Sequence, residues 1–149
     1  MAVSEIITMN STDWWICGRR CGWQGRDEDK YERSDTLHLS TFVCPDCGCD
    51  SFWREKPLFV PLKAQYFAQF ADGTKTTEYR QRGPRWNAAT CRVGRRVILS
   101  RGYGKGARLT GVIVGFHYDT IPSKIPGWLE CYGPGAGDAA CIGIELDPK

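Results

Sequence analysis

Two cysteine pairs carry the strongest chemical signal in the chain, Cys17-Gly-Arg-Arg-Cys21-Gly22 and Cys44-Pro-Asp-Cys47-Gly48. A tetrahedral metal site needs four thiolates or imidazoles, and a tight turn aims two of them at one point. Pro45 helps to set the second turn. The glycine after each second cysteine permits a positive φ and leaves backbone N–H groups facing sulfur. The first turn is one residue longer than the second, and 22 residues separate the pairs, about what a hairpin and a loop require. The expected ion is zinc, held by Cys17, Cys21, Cys44 and Cys47. Cys49 overlaps the second pair and competes for the fourth place, but Cys47 completes the turn, whereas Cys49 follows after the chain has reversed. His38 has no partner and reads as a surface or half-buried histidine. With four protein ligands no position is left for water, so the metal is structural.

The remaining cysteines, Cys91, Cys131 and Cys141, stand alone and are expected to be buried structural thiols. The N-terminal MAVSEIITMN has neither a basic lead nor a long apolar stretch, so no secretory signal is expected. Without one, close cysteine pairs read as metal ligands and not as a disulfide framework. A cytoplasmic protein is the expectation, and no apolar run approaches the roughly 18 residues of a membrane span.

The second signal is electrostatic. Residues 75–108 hold ten cations and one acid, Glu78, although the net charge of the whole chain is only +3. Such asymmetry suggests an anionic partner, nucleic acid first and RNA favoured. Lys75, Glu78 and Arg80 fall at i, i+3 and i+5 on an expected strand, which places Lys75 and Arg80 on opposite faces and Glu78 with Arg80. Glu78 then either forms a structural ion pair with Arg80, accepts from a base edge, or takes a proton beside Lys75. Trp86 and Tyr103 offer aromatic faces on which a base can stack, with Arg82, Arg85 and Lys105 near them to hold phosphates. Core packing is the competing role for Trp86, while Tyr103 lies between glycines at an expected hairpin tip. Arg95 and Arg96 read as a solvated edge. Gly102-Tyr-Gly-Lys-Gly106 lacks the Lys-Ser/Thr pair of a phosphate-binding loop.

These residues must be positioned by a mostly β (α+β) chain. Trp14, Trp15 and Ile16 begin a short strand, 24–36 is polar and reads as a loop, Leu37–Cys44 as a strand, and Ser51–Arg54 as another. Lys56-Pro57 begins a boundary, with a further proline at Pro61. Beyond it, Lys63–Ala71 presents Tyr66, Phe67 and Phe70 on one helical face, stopped by Asp72-Gly73. Strands are expected over Thr74–Gln81, Val97–Ser100, Leu109–Tyr118 and Ala140–Leu146, the middle two joined by a glycine-rich hairpin. Seven of the 17 residues from Ile121 to Gly137 are Gly or Pro, which reads as a long irregular loop. The expectation is therefore two domains, 1–56 and 57–149. A module as small as the first folds with the help of metal binding, worth on the order of 10 kcal/mol. Its acidic loop, Asp27–Asp35, argues against it as the main nucleic-acid contact.

Over residues 12–56 the cysteine turns resemble a zinc ribbon, departing from it in the longer first pair and in Cys49. Residues 58–149 resemble the ASCH domains, a branch of the PUA-like small β-barrels. That likeness rests on the helix at Lys63–Phe70, on Gly73-Thr-Lys75-Thr-Thr-Glu78-Tyr-Arg80 as the family's G-x-K-x-x-E-x-R, on Pro84-Arg85-Trp86, on Val93-Gly94-x-x-Val97 and on Gly102-Tyr103-Gly104. The resemblance implies a barrel with a cleft lined by that strand and a ligand that is RNA or a modified nucleotide. It also admits a hydrolase: one branch deacetylates acetylated cytidine nucleosides with a Lys, Thr and Glu set, and another is reported to cleave RNA. Only Lys75 carries over from the deacetylase set, with Glu78 standing where its threonine would be, and residues 81–118 contain no acid for its glutamate. Asp119 or Glu145 would have to supply one. Binding is thus the favoured expectation, catalysis through Lys75 and Glu78 the alternative, and a protein-interaction adaptor the third.

Overall fold

The computed structural model describes residues 13–34 and 40–148; His38 lies outside them. Strand accounts for 39% of the described residues and helix for 15%, so the protein is mostly β with short helices. The contacts divide it into two compact units, Met1–Lys56 and Pro57–Lys149.

In the first unit β1 (Trp15–Cys17) is flanked by β2 (Gln24–Gly25) and β5 (Phe52–Arg54), antiparallel on both sides, with Cys17 opposite Phe52. The polar segment read as a loop contains β2, a 3₁₀ turn (Asp27–Asp29) and β3 (Tyr31–Ser34). β3 forms a hairpin with β4 (Ser40–Val43). The difference has a physical reason: all four residues of β3 are exposed, so the strand carries no apolar alternation to reveal it. Lys30 substitutes for core here, its Nζ lying 4.1 and 4.3 Å from the Trp15 and Phe52 ring centroids and 2.8 Å from Asp27.

The second unit is one five-stranded curled sheet in the order β6-β8-β9-β10-β7. Its strands are β6 (Leu58–Leu62), β7 (Thr77–Gln81), β8 (Arg96–Arg101), β9 (Arg108–Asp119) and β10 (Ala139–Leu146). β6 runs parallel to β8, and the other pairs are antiparallel. Alternation along β6 turns Leu58, Val60 and Leu62 inward, against Leu99, Ile113 and Ile142. Helix α1 (Ala64–Asp72) closes this core with Phe67 and Phe70.

Two elements have no clear signal in the sequence. β6 lies directly after the boundary proline and contains Pro61, which a central strand would exclude but an edge strand tolerates. Helix α2 (Trp128–Tyr132) interrupts the Gly/Pro-rich stretch, bounded by Gly127 and Gly133 and docked through the buried Trp128.

Candidate functional site

In the first unit, the turns after β1 and β4 bring Cys17, Cys21, Cys44 and Cys47 together, with all four sulfurs within 4.8 Å of one another. Cys17 and Cys47 Sγ are 3.5 Å apart, and Cys21 and Cys44 Sγ 3.6 Å. Four sulfurs at metal-bond distances of about 2.3 Å would form a tetrahedron of similar edge. Gly22 and Gly48 adopt φ of 106° and 75°, the left-handed geometry that only glycine takes without strain. The extra residue of the first turn is absorbed by Arg20, at φ 56°. Cys49 is buried but aimed elsewhere: its sulfur accepts the Ser51 N–H at 3.4 Å and faces the Ser51 carbonyl at 3.6 Å. The four cysteines can hold a metal ion.

Thiol electrostatics point the same way. Burial disfavours the Cys17 thiolate, but the backbone N–H groups of Cys21 and Arg19 and the thiols of Cys47 and Cys21 outweigh it, lowering the pKa to about 6. For Cys47 the Cys49 N–H favours the thiolate. Burial and the thiols of Cys17, Cys21 and Cys44 win instead and push it up to about 12. Four adjacent sulfurs resist ionising together unless a cation lies between them.

In the second unit, curling brings the sheet's two edge strands, β6 and β7, to one seam. There the Arg80 guanidinium of β7 donates to the Pro61 carbonyl of β6. Its Nε lies 2.9 Å and its Nη2 2.8 Å from Glu78 Oε2, and the other face of Glu78 is met by Lys75, with Nζ 3.6 Å from Oε1. The side chains of Glu78, Lys75 and Arg80 are only 7%, 15% and 16% exposed, so solvent screens them little. Lys75 and Arg80 therefore share Glu78, contrary to the expectation of opposite faces. The strand begins at Thr77, so alternation does not govern Lys75. Its ammonium instead sits among the rings of Tyr66, Phe70 and Tyr79, at 5.3, 5.7 and 4.9 Å.

Beside this group opens a cavity of about 390 Å³, walled by the seam, α1 and the 125–132 segment with α2. Tyr79 and Tyr132 line it, and burial raises the pKa of both phenols, so both remain protonated donors. Glu130 and Cys131, both on α2, line it as well. Sequence reasoning places neither there, because no periodic signal survives in so short a helix among glycines. The spacing of Trp128, Leu129 and Tyr132 was the available clue. Cys131 is exposed, against the expectation of a buried thiol, and Lys63 Nζ lies 3.9 Å from its sulfur. Cys91 and Cys141 are buried, and burial pushes both thiols up. Asp119 and Glu145 do not line the cavity: Asp119 caps the Ile121 N–H, and Glu145 is exposed on β10.

The other nominated residues lie outside the cavity. Trp86 packs half-buried on the core, with Arg80 over its ring at 4.7 Å and Arg85 at 5.4 Å. Arg82 lies 3.9 Å from the Tyr118 ring centroid and pairs with Asp138 at 3.3 Å. Tyr103 and Lys105 sit in the exposed β8–β9 hairpin, Tyr103 with 78% of its surface free. Arg96 is paired with Asp147. No helix among the described residues is long and apolar enough to cross a membrane. Comparison with known proteins finds no matching family model and no matching curated protein.

Proposed function

We propose that this chain is a nucleic-acid-binding module, with RNA or a modified nucleotide as ligand. In this reading residues 12–56 form a zinc ribbon, and residues 58–149 an ASCH-type, PUA-like domain whose cavity seats one base. Zinc suits four thiolates, and a filled tetrahedron is structural. The supporting observation is the cavity at the seam. At about 390 Å³ it is of a size to enclose one nucleoside. Its walls are aromatic, and its charged group is two cations on one carboxylate. Phenol hydroxyls and Lys75 supply donors to base carbonyls or phosphate, and rings supply stacking faces. Glu78 is engaged by a cation on each side, which suits an organising role better than that of a proton acceptor.

The experiment is fluorescence anisotropy with short single-stranded RNAs over a salt series. Affinity should fall steeply with salt, because each neutralised phosphate releases counterions. Lys75→Arg should keep part of the affinity and Lys75→Ala lose more. Wild-type protein should not turn over acetylated cytidine or RNA above a Lys75→Ala control. A complete lack of binding at about 50 mM salt would overturn the reading and favour a protein-interaction adaptor. Glu130 keeps a second reading open, a small hydrolase, because it brings to the cavity the second acid absent from residues 81–118. Turnover abolished by Lys75→Arg with binding intact would establish it.

A further inference from the structure

A second groove opens on the same unit. It measures about 490 Å³ and is lined by Leu58, Phe59, Pro84, Arg85, Thr90 and Arg95. The cavity and this groove share an edge strand, since Pro61 lines the first and Phe59, two residues earlier, the second. Strand alternation sends residues two apart to the same face, about 7 Å from each other. Trp86 lines neither but stands between their cations, with Arg80 of the cavity over its ring at 4.7 Å and Arg85 of the groove at 5.4 Å. The two depressions are thus adjacent stations along one basic, aromatic track.

The groove is held in shape before any ligand arrives. Asn87 Nδ2 donates to the carbonyls of Gly83 and Pro84, and its Oδ1 accepts from the Ala89 and Thr90 N–H groups. Thr90 Oγ1 donates to the Arg85 carbonyl at 2.8 Å, and Arg95 Nη1 to the Thr90 carbonyl at 2.6 Å. Next to Phe59, the hairpin tip is pinned by Gly102 N–H to the Leu62 carbonyl at 2.9 Å and by Ser100 Oγ to the Gly102 carbonyl at 2.6 Å. This places the exposed Tyr103 ring 6.5 Å from the Phe59 ring, tilted by 42°. At that separation and tilt the two rings form a paired aromatic edge to the groove, with the Tyr103 face free to take a stacked base. Arg108, over Phe59 at 5.0 Å, adds a cation. Residues 81–118, which supply most of this surface, contain no acid.

We propose that the groove is a second nucleotide subsite, so that the ligand is a single-stranded nucleic acid of two or more nucleotides and not a free nucleoside. Its next base stacks on the exposed Tyr103 ring, which Phe59 backs, and its phosphate is held by Arg85 and Arg95. The inference rests on the reading of the cavity as a base site.

The test is competition against a labelled mixed-sequence RNA hexamer bound to the full, metal-loaded chain. Competitors are the four ribonucleoside monophosphates, the corresponding dinucleotides and polyglutamate. Dinucleotides should compete at least about tenfold better than monophosphates, one stacked base being worth that much. Tyr103→Ala should abolish this gain without changing monophosphate affinity, Tyr103→Trp should preserve it, and Phe59→Leu should reduce it. Tyr103 is exposed, so its replacement leaves the fold intact. Monophosphates that compete as well as dinucleotides would overturn the second subsite and leave the base cavity standing. The second subsite falls equally if Tyr103→Ala has no effect, or if polyglutamate competes as well as RNA. Absence of any binding would remove both.

Discussion

Replacing Glu78 by glutamine removes one negative charge from the seam and changes almost no volume. Lys75 and Arg80 then face each other with no carboxylate between them, at sites 15% and 16% exposed. Breaking a buried ion pair from one side costs about 3–5 kcal/mol, because the remaining charge stays desolvated. The glutamine carbonyl can still accept one Arg80 N–H, worth about 1 kcal/mol. The expected loss is therefore about 2–4 kcal/mol, a large share of the stability of a unit of this size. Hydrogen exchange of the β9 and β10 amides measures it for this unit alone, because those central strands open only with the whole sheet. Adding Lys75→Met to Glu78→Gln should restore part of the loss, since it deletes one unpaired cation. A change below about 1 kcal/mol, the size of a surface salt bridge, would refute the reasoning and show the carboxylate to be well solvated.

Two further expectations can be checked directly. Elemental analysis should find one metal ion per chain, lost in Cys47→Ser and retained in Cys49→Ser; the reverse pattern would reassign the fourth ligand. The hydrogen bonds of Asp147 with Arg96 and Thr110 hold its carboxyl at about 2, below the usual 3.8. A depressed folded pKa contributes stability that is present above the unfolded value and lost as pH falls through the folded one. The difference in urea stability between wild type and Asp147→Asn should thus be constant above about pH 4 and vanish towards about pH 2. A difference that does not change across that window would show that the carboxyl titrates normally.

Local chemistry was legible without a structure wherever a residue's role depends on its immediate neighbours. The Cys-x-x-Cys-Gly turn specifies its own backbone, so the cysteine pairs and the choice of Cys47 over Cys49 follow from a few adjacent residues. Helix α1 and strands β8 to β10 were legible because they bury a regular apolar face, and regularity is what periodicity detects. Where that regularity fails, so does the reading. β3 buries nothing, β6 hides behind prolines, and α2 is a single turn framed by glycines.

The cavity depends on distant parts of the chain. Its charged group comes from residues 75–80, but Pro61 closes the seam and α2 supplies Trp128, Glu130 and Cys131. No spacing rule connects these segments, because their proximity results from the curl of the sheet, and that curl is the sum of twists along five strands. The sequence by itself determined the paired cysteine turns, the mostly β character and the concentration of cations. Tertiary structure decided that Lys75 and Arg80 share Glu78, that Cys131 faces a cavity, and that Tyr103 lies opposite Phe59. Each of those facts is a distance between residues that only a folded chain brings together.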